Sequence, residues 1–137
     1  MSTEILTGNI ATVTAIYEAF GRGDIPFILS NISSDCHWEA MGKGSSAQGG
    51  TYIGKGAADF FNNLLGEVEF VEFNPLTISN AGSNTVAAFG NLKGKSRATG
   101  KPYSTDWAMR WVFNDAGQVV EYQNYHDSAA LYIANQN

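Results

Sequence analysis

The chain has 137 residues, 44% of them hydrophobic, enough to close the core of one domain and leaving no need for a second. Thirteen acidic against eight basic side chains give a formal net charge of -5 with no Lys/Arg cluster, so neither a phosphate backbone nor an anionic lipid surface is attracted, and nucleic acid and membrane are not expected partners. The N-terminus lacks a basic segment followed by an apolar run, and the lone Cys36 can form no internal disulfide, so the expected compartment is the cytoplasm.

In chain order, Ile5 to Phe20 spaces Leu6, Ile10, Val13, Ile16, Tyr17 and Phe20 at helical intervals, giving one apolar stripe turned toward a core. Gly21-Arg22-Gly23 stops that helix. Asp24 then caps a short one with Pro26 in its first turn and Phe27, Ile28 and Ile32 on its apolar side. The Arg22-Gly23-Asp24 triplet therefore reads as helix stop plus helix cap and not as an adhesion motif. Asp35 to Met41 alternates as a strand, with Trp38 and Ala40 on the inward face and His37 and Glu39 on the other. Cys36 and His37 consequently diverge, and Cys36 reads as a half-buried structural thiol.

Gly42 to Gly50 is a Gly/Ser-rich loop. Gly49 to Gly56 nearly spells a phosphate-binding loop, but Gly56 stands where a hydroxyl should meet magnesium and the residues before it read as loop, so the segment is a turn into a helix over Ala57 to Leu65. That helix presents Phe60, Phe61, Leu64 and Leu65. Four extended runs follow, Glu67 to Thr77, Thr85 to Lys95, Tyr103 to Phe113 and Gln118 to His126, separated by Gly-containing turns. Helices first and hairpin-linked strands after predict an α+β domain: an antiparallel sheet with helices gathered on one side.

The last two strands carry the chemistry. Asn114-Asp115-Ala116-Gly117 reads as a hairpin turn, so Trp107, Met109, Trp111 and Phe113 share one face, and Tyr122, Asn124 and His126 share one face of the next strand. An aromatic wall ending in a few polar groups suits a mostly apolar, oxygen-bearing small molecule. Asp127 is placed to cap a terminal helix over Ser128 to Ala134, leaving His126 the sole imidazole on that face, suited to proton transfer near neutral pH; the alternative is a histidine that merely hydrogen-bonds at the sheet edge. No set of His, Cys and carboxylate groups has metal-ligand spacing, so neither metal nor cofactor is expected. Asp106 and Arg110 fall on the opposite face, toward solvent or a second subunit.

Four motifs, Tyr17-Glu18-Ala19-Phe20-Gly21-Arg22-Gly23-Asp24, Cys36-His37-Trp38-Glu39, Gly50-Thr51-Tyr52-Ile53-Gly54, and Asp115 to Val120 with Tyr125-His126-Asp127, together resemble the SnoaL-like branch of the nuclear transport factor two-like superfamily. The resemblance covers nearly the whole chain. It implies a cone-shaped, strongly curved sheet in an α+β roll, a ligand held in the concave face under the N-terminal helices, and a homodimer through the opposite face. Tyr17 matches the helix tyrosine that hydrogen-bonds the substrate oxyanion in ketosteroid isomerase, whereas Ala40 and Met109 stand at the positions of that enzyme's base and acid, so steroid isomerisation is not expected unless Glu39 slips into the base position. Asn124 replaces the water-activating carboxylate of limonene-epoxide hydrolase. His126 is the nearest equivalent of the acid/base residue of SnoaL-type cyclases.

The reading that results is an enzyme in which Tyr17 and Asn124 polarise a carbonyl and His126 moves a proton, giving cyclisation, isomerisation or dehydration of a hydrophobic carbonyl compound. Trp38, Phe60, Trp107, Met109, Trp111 and Tyr122 would line its site. One alternative is a binding or sensing module for a hydrophobic small molecule. The other is a structural subunit whose pocket is filled by its own Trp38, Trp111 and Tyr122.

Overall fold

The computed structural model describes residues 8–137. The elements run α1 (Gly8–Gly21), α2 (Ile25–Ser30), β1 (Ile32–Ala40), β2 (Gly50–Ile53), a 3-10 turn (Gly54–Gly56), α3 (Ala57–Glu67), β3 (Val68–Asn80), β4 (Thr85–Ser96), β5 (Pro102–Phe113), β6 (Val119–His126) and α4 (Ser128–Ala134). The six strands form one curved, unclosed sheet in the order β2-β1-β6-β5-β4-β3, with the helices packed on its concave side. Ile5 and Leu6 of the expected first helix lie outside the described residues. Among the described residues no helix is long and apolar enough to cross a membrane.

The sheet is mixed, which corrects the antiparallel expectation: β1 runs parallel to β6, with Trp38 beside Tyr122. β1 enters from the helices and is not joined to β6 by a turn, so no local signal marks that pairing. β2 is also a strand, paired antiparallel to β1, where sequence alone showed only loop. The phosphate-loop look-alike is thus a strand end and turn. Lys55 donates to Leu29 O near the end of α2 and to Ile32 O at the start of β1, and a β-carbon at Gly54 would overlap the Ser34 carbonyl.

Local signals place most element ends. Asp24 accepts the Phe27 N–H at 3.1 Å as the α2 cap, and Asp127 accepts from Ala129 and Ala130 as the α4 cap. The β5–β6 turn is closed by Asn114, whose Oδ1 accepts the N–H groups of Ala116 and Gln118, with Gly117 at a φ of 81°. The register that follows pairs Trp107 with His126, Met109 with Asn124 and Trp111 with Tyr122, so all six side chains share a face.

Edge strand β3 carries two irregularities. Val71 has no partner between Phe70 and Glu72, and Leu76 none between Pro75 and Thr77. The first is a bulge that turns both Phe70 and Phe73 inward despite their odd spacing. The second accommodates Pro75, which can donate no ladder hydrogen bond.

The core is aromatic. Trp38, Trp111, Tyr122, Trp107, Phe60 and Tyr17 are all buried, and each such ring removes roughly 150–250 Å² from water, worth about 4–6 kcal/mol at ~25 cal/mol/Å² before ordering entropy. The ion pairs Arg22–Asp24, Lys93–Glu72 and Arg110–Glu121 are exposed and contribute little by comparison. Cys36 is fully buried, more than the half-burial expected, and burial with the Asp35 and Glu121 charges pushes its thiol up to about 12, which makes it inert.

Rings of this size need small residues opposite them, and β4 supplies Val86, Ala88 and Gly90 on its inner face. A β-carbon at Gly90 would overlap the Trp107 ring and the Asn74 carbonyl. Gly90→Ala is therefore expected to destabilise the fold by roughly 1–3 kcal/mol in urea unfolding, through overpacking; an unchanged midpoint would show that Trp107 does not need the space.

Candidate functional site

Between the sheet and helices α1 and α3 lies a cavity of about 70 Å³. Tyr17, Trp38, Phe60, Trp107, Met109, Trp111, Tyr122, Asn124 and His126 all line it. The structure thus brings together every candidate residue picked from the sequence. Trp38 stacks on Tyr122 at 3.8 Å between centroids, with Trp111 at 4.7 Å from Tyr122 and Phe60 at 5.5 Å from Trp38. These rings fill much of the cone, as the structural-subunit alternative expects, yet a hollow remains.

The polar groups form two sets. In the first, Trp111 Nε1 donates to the Tyr17 hydroxyl at 3.0 Å, and that hydroxyl donates to Met109 Sδ at 3.0 Å. The Tyr122 hydroxyl donates to the same sulfur at 3.5 Å. A thioether is a weak acceptor, so a carbonyl oxygen entering here would take the Tyr17 proton in its place. Burial, reinforced by Tyr122 and opposed by the Trp111 hydrogen bond, holds Tyr17 far above the usual phenol range. It is a donor throughout the physiological pH range.

The second set is at the end of β6. His126 pairs across the sheet with Trp107, and its Nε2 is buried without a hydrogen-bond partner. Burial pulls its pKa below 6.5, while a backbone hydrogen bond to Asp127 and the carboxylates of Asp127 and Glu67 oppose that shift without cancelling it. A hydrogen bond that favours the protonated ring is one the ring donates. A neutral ring that donates from Nδ1 leaves its Nε2 lone pair in the cavity wall, free to take a ligand proton. Tyr17 packs on Trp107 at 5.5 Å between centroids, and Trp107 is the cross-strand neighbour of His126. Asn124 is more constrained than its sequence role implied, because its Oδ1 already accepts the Met41 N–H at 2.8 Å. Trp38 Nε1 is a buried donor with no partner.

Sequence reasoning missed the cluster around Glu67. Glu67, the last residue of α3, accepts from Ser46 Oγ at 2.8 Å, the Ala47 N–H at 3.1 Å, Gln48 Nε2 at 3.4 Å and Asn135 Nδ2 at 3.1 Å. One carboxylate thus ties the Gly/Ser-rich loop and the end of the chain together and sets buried Gln48 into the cavity wall. These partners are remote in sequence, so no spacing pattern announces them. Phe70, Phe73, Leu92, Tyr103 and Thr105 also line the cavity. The alternation of β5 contained Tyr103 and Thr105, and the bulge at Val71 hid the pairing of Phe70 with Phe73.

A family model described as a SnoaL-like domain matches residues 13–122. No curated protein matches the chain. Among solved structures, an NTF2-like protein of Burkholderia thailandensis is similar at 25% identity, covering 96% of this chain and 99% of that one with a TM-score of 0.84. An NTF2-like protein of unknown function from Burkholderia pseudomallei is similar at 22% identity, with 96% and 99% coverage and a TM-score of 0.86. IdmH of Streptomyces antibioticus, a candidate polyketide cyclase, is similar at 18% identity, with 93% and 98% coverage and a TM-score of 0.71. With most of its length matched by one family model and its sheet and helices matched by these structures, the chain belongs to the SnoaL-like family on the NTF2-like fold.

Proposed function

We propose that the cavity performs acid/base chemistry on a hydrophobic carbonyl compound. The observation that carries this reading is the buried, unpartnered Nε2 of a neutral His126 in the same hollow as the Tyr17 hydroxyl, whose proton rests on a sulfur. The carbonyl oxygen of the ligand takes over the Tyr17 hydrogen bond. His126 Nε2 then removes a proton from the adjacent carbon, the C–H pair becomes the C=C bond of an enolate, and the carbonyl π pair moves to the oxygen held by Tyr17. Return of the proton to a different carbon isomerises the compound. Loss of a β-hydroxyl as water, with that proton, dehydrates it, and attack of the enolate carbon on a second carbonyl closes a ring. The cyclase candidate IdmH on the same fold supports this class of chemistry by analogy only.

Enolisation is testable without the natural substrate. With 2-octanone in D₂O, the protein is expected to accelerate deuterium uptake beside the carbonyl, measured by mass spectrometry. His126→Ala should lower that rate by roughly 10²- to 10⁴-fold with binding changed only a few-fold. Because the lowered pKa keeps the imidazole neutral above it, the rate should rise with pH below 6.5 and be level at neutral pH. An intact rate in the variant, or a rate falling between pH 6 and 7, would remove His126 as the base. A ketone that binds and returns without deuterium would favour a binding module, a reading supported by the lack of any carboxylate among the described lining residues.

The partner we infer beyond the small molecule is a second copy across the outer sheet face. Phe89, Ala108 and Tyr125 lie in one row across β4, β5 and β6, with Phe89 50% exposed and Tyr125 44%. Sedimentation is expected to give twice the 14.7 kDa chain mass, and Phe89→Glu to give the single mass. A monomer for the unaltered chain would contradict the inference.

A further inference from the structure

A second hollow, of about 350 Å³, lies on the surface between the end of α1 and the start of β3. Phe20, Phe70 and Phe73 line both this groove and the inner cavity. These three rings are walls that the two hollows share. Their centroids are 5.2–6.0 Å apart, and all three are only partly buried although they belong to the core side of the sheet. Phe73 is fixed by its stack on Trp107, at 4.9 Å and 5°. Phe20 meets Phe70 edge-on at 5.3 Å, so a chain joining the two hollows would pass by displacing that one contact.

The walls beyond the rings are apolar and exposed, with Leu65 37% and Val71 55% accessible, and Val71 is the residue that the β3 bulge pushes outward. Gly21 and Gly23 leave the floor without side chains. The charged lining residue, Glu72, is engaged by Lys93 at 3.9 Å. No cation lines the groove among the described residues, and the carboxylate at its rim disfavours an anionic end group.

The inner cavity is about half of the roughly 150 Å³ that takes up one benzene. It holds an oxygen-bearing head group and little more. We propose that the groove is the outer half of a single site: it takes the neutral, unbranched alkyl tail of a carbonyl compound whose head sits at Tyr17 and His126, the tail passing between Phe20 and Phe70. This rests on the acid/base reading of the inner cavity and adds to it the shape of the substrate, a carbonyl head on a flexible apolar chain.

The test is a series of methyl ketones from 2-butanone to 2-dodecanone, with dissociation constants read by calorimetry and by the fluorescence of the cavity tryptophans. Affinity is expected to rise roughly two- to fourfold per added methylene through the longer members, as a tail leaving water should. Val71→Lys, and independently Leu65→Lys on the facing wall, should abolish that gain for long chains while short ketones bind within about twofold of the unaltered protein; both positions are exposed, and circular dichroism checks each fold. An affinity that stops rising at the short members, or a slope that neither lysine changes, overturns the groove and leaves the inner site standing. If no ketone of any length binds, the carbonyl reading itself fails and the groove with it.

Discussion

Trp111 donates its indole N–H to the Tyr17 hydroxyl across 94 residues of sequence, and this bond sets where α1 lies over the sheet. Tyr17 is held on three sides by Phe73, Trp107 and Trp111, with centroids 5.5–5.9 Å away. Once its oxygen is fixed as an acceptor from Trp111, its own proton must go elsewhere, and the neighbour in reach is Met109 Sδ. A strong donor left on a weak acceptor in a desolvated place is the one electrostatic feature that a ligand oxygen can improve. Fold and site therefore share their central contact: the packing that holds α1 in place also aims the phenol.

The rest of the cone shows how stability and binding compete for one volume. Stacked Trp38 and Tyr122, with Trp111 across them, contribute burial and leave little room. What survives is a small hollow lined by two residues with unpartnered buried polar atoms, Trp38 Nε1 and His126 Nε2. Leaving a buried donor or acceptor unpaired costs on the order of 1–3 kcal/mol, comparable to a large fraction of a small domain's net stability, so such atoms mark places where something other than packing was favoured. Glu67 fastens the Gly/Ser-rich loop and Asn135 to the end of α3.

Much of this was legible in the sequence because it is written locally. Period-two alternation in β5 and β6 with an Asn/Gly turn fixed which face holds Trp107, Trp111, Tyr122, Asn124 and His126, and the caps Asp24 and Asp127 marked their helix starts. What was hidden is non-local. The parallel β1–β6 pairing has no turn to signal it, β2 is four residues long, and the Val71 bulge breaks the alternation that any pattern count relies on. Glu67 reads as the first residue of an extended run, whereas it ends α3 and anchors the loop that folds onto it. Asn124 was legible as an inward amide, while its commitment to the Met41 N–H was not.

The account stands on a neutral imidazole whose lone pair points into the cavity. A ¹⁵N NMR titration of His126 in the folded protein reads this directly, since the ring nitrogens report both the protonation midpoint and the tautomer. The account predicts a midpoint below 6.5 and, above it, a proton on Nδ1 with Nε2 bare. A midpoint above 6.5, or a neutral ring carrying its proton on Nε2, would contradict it.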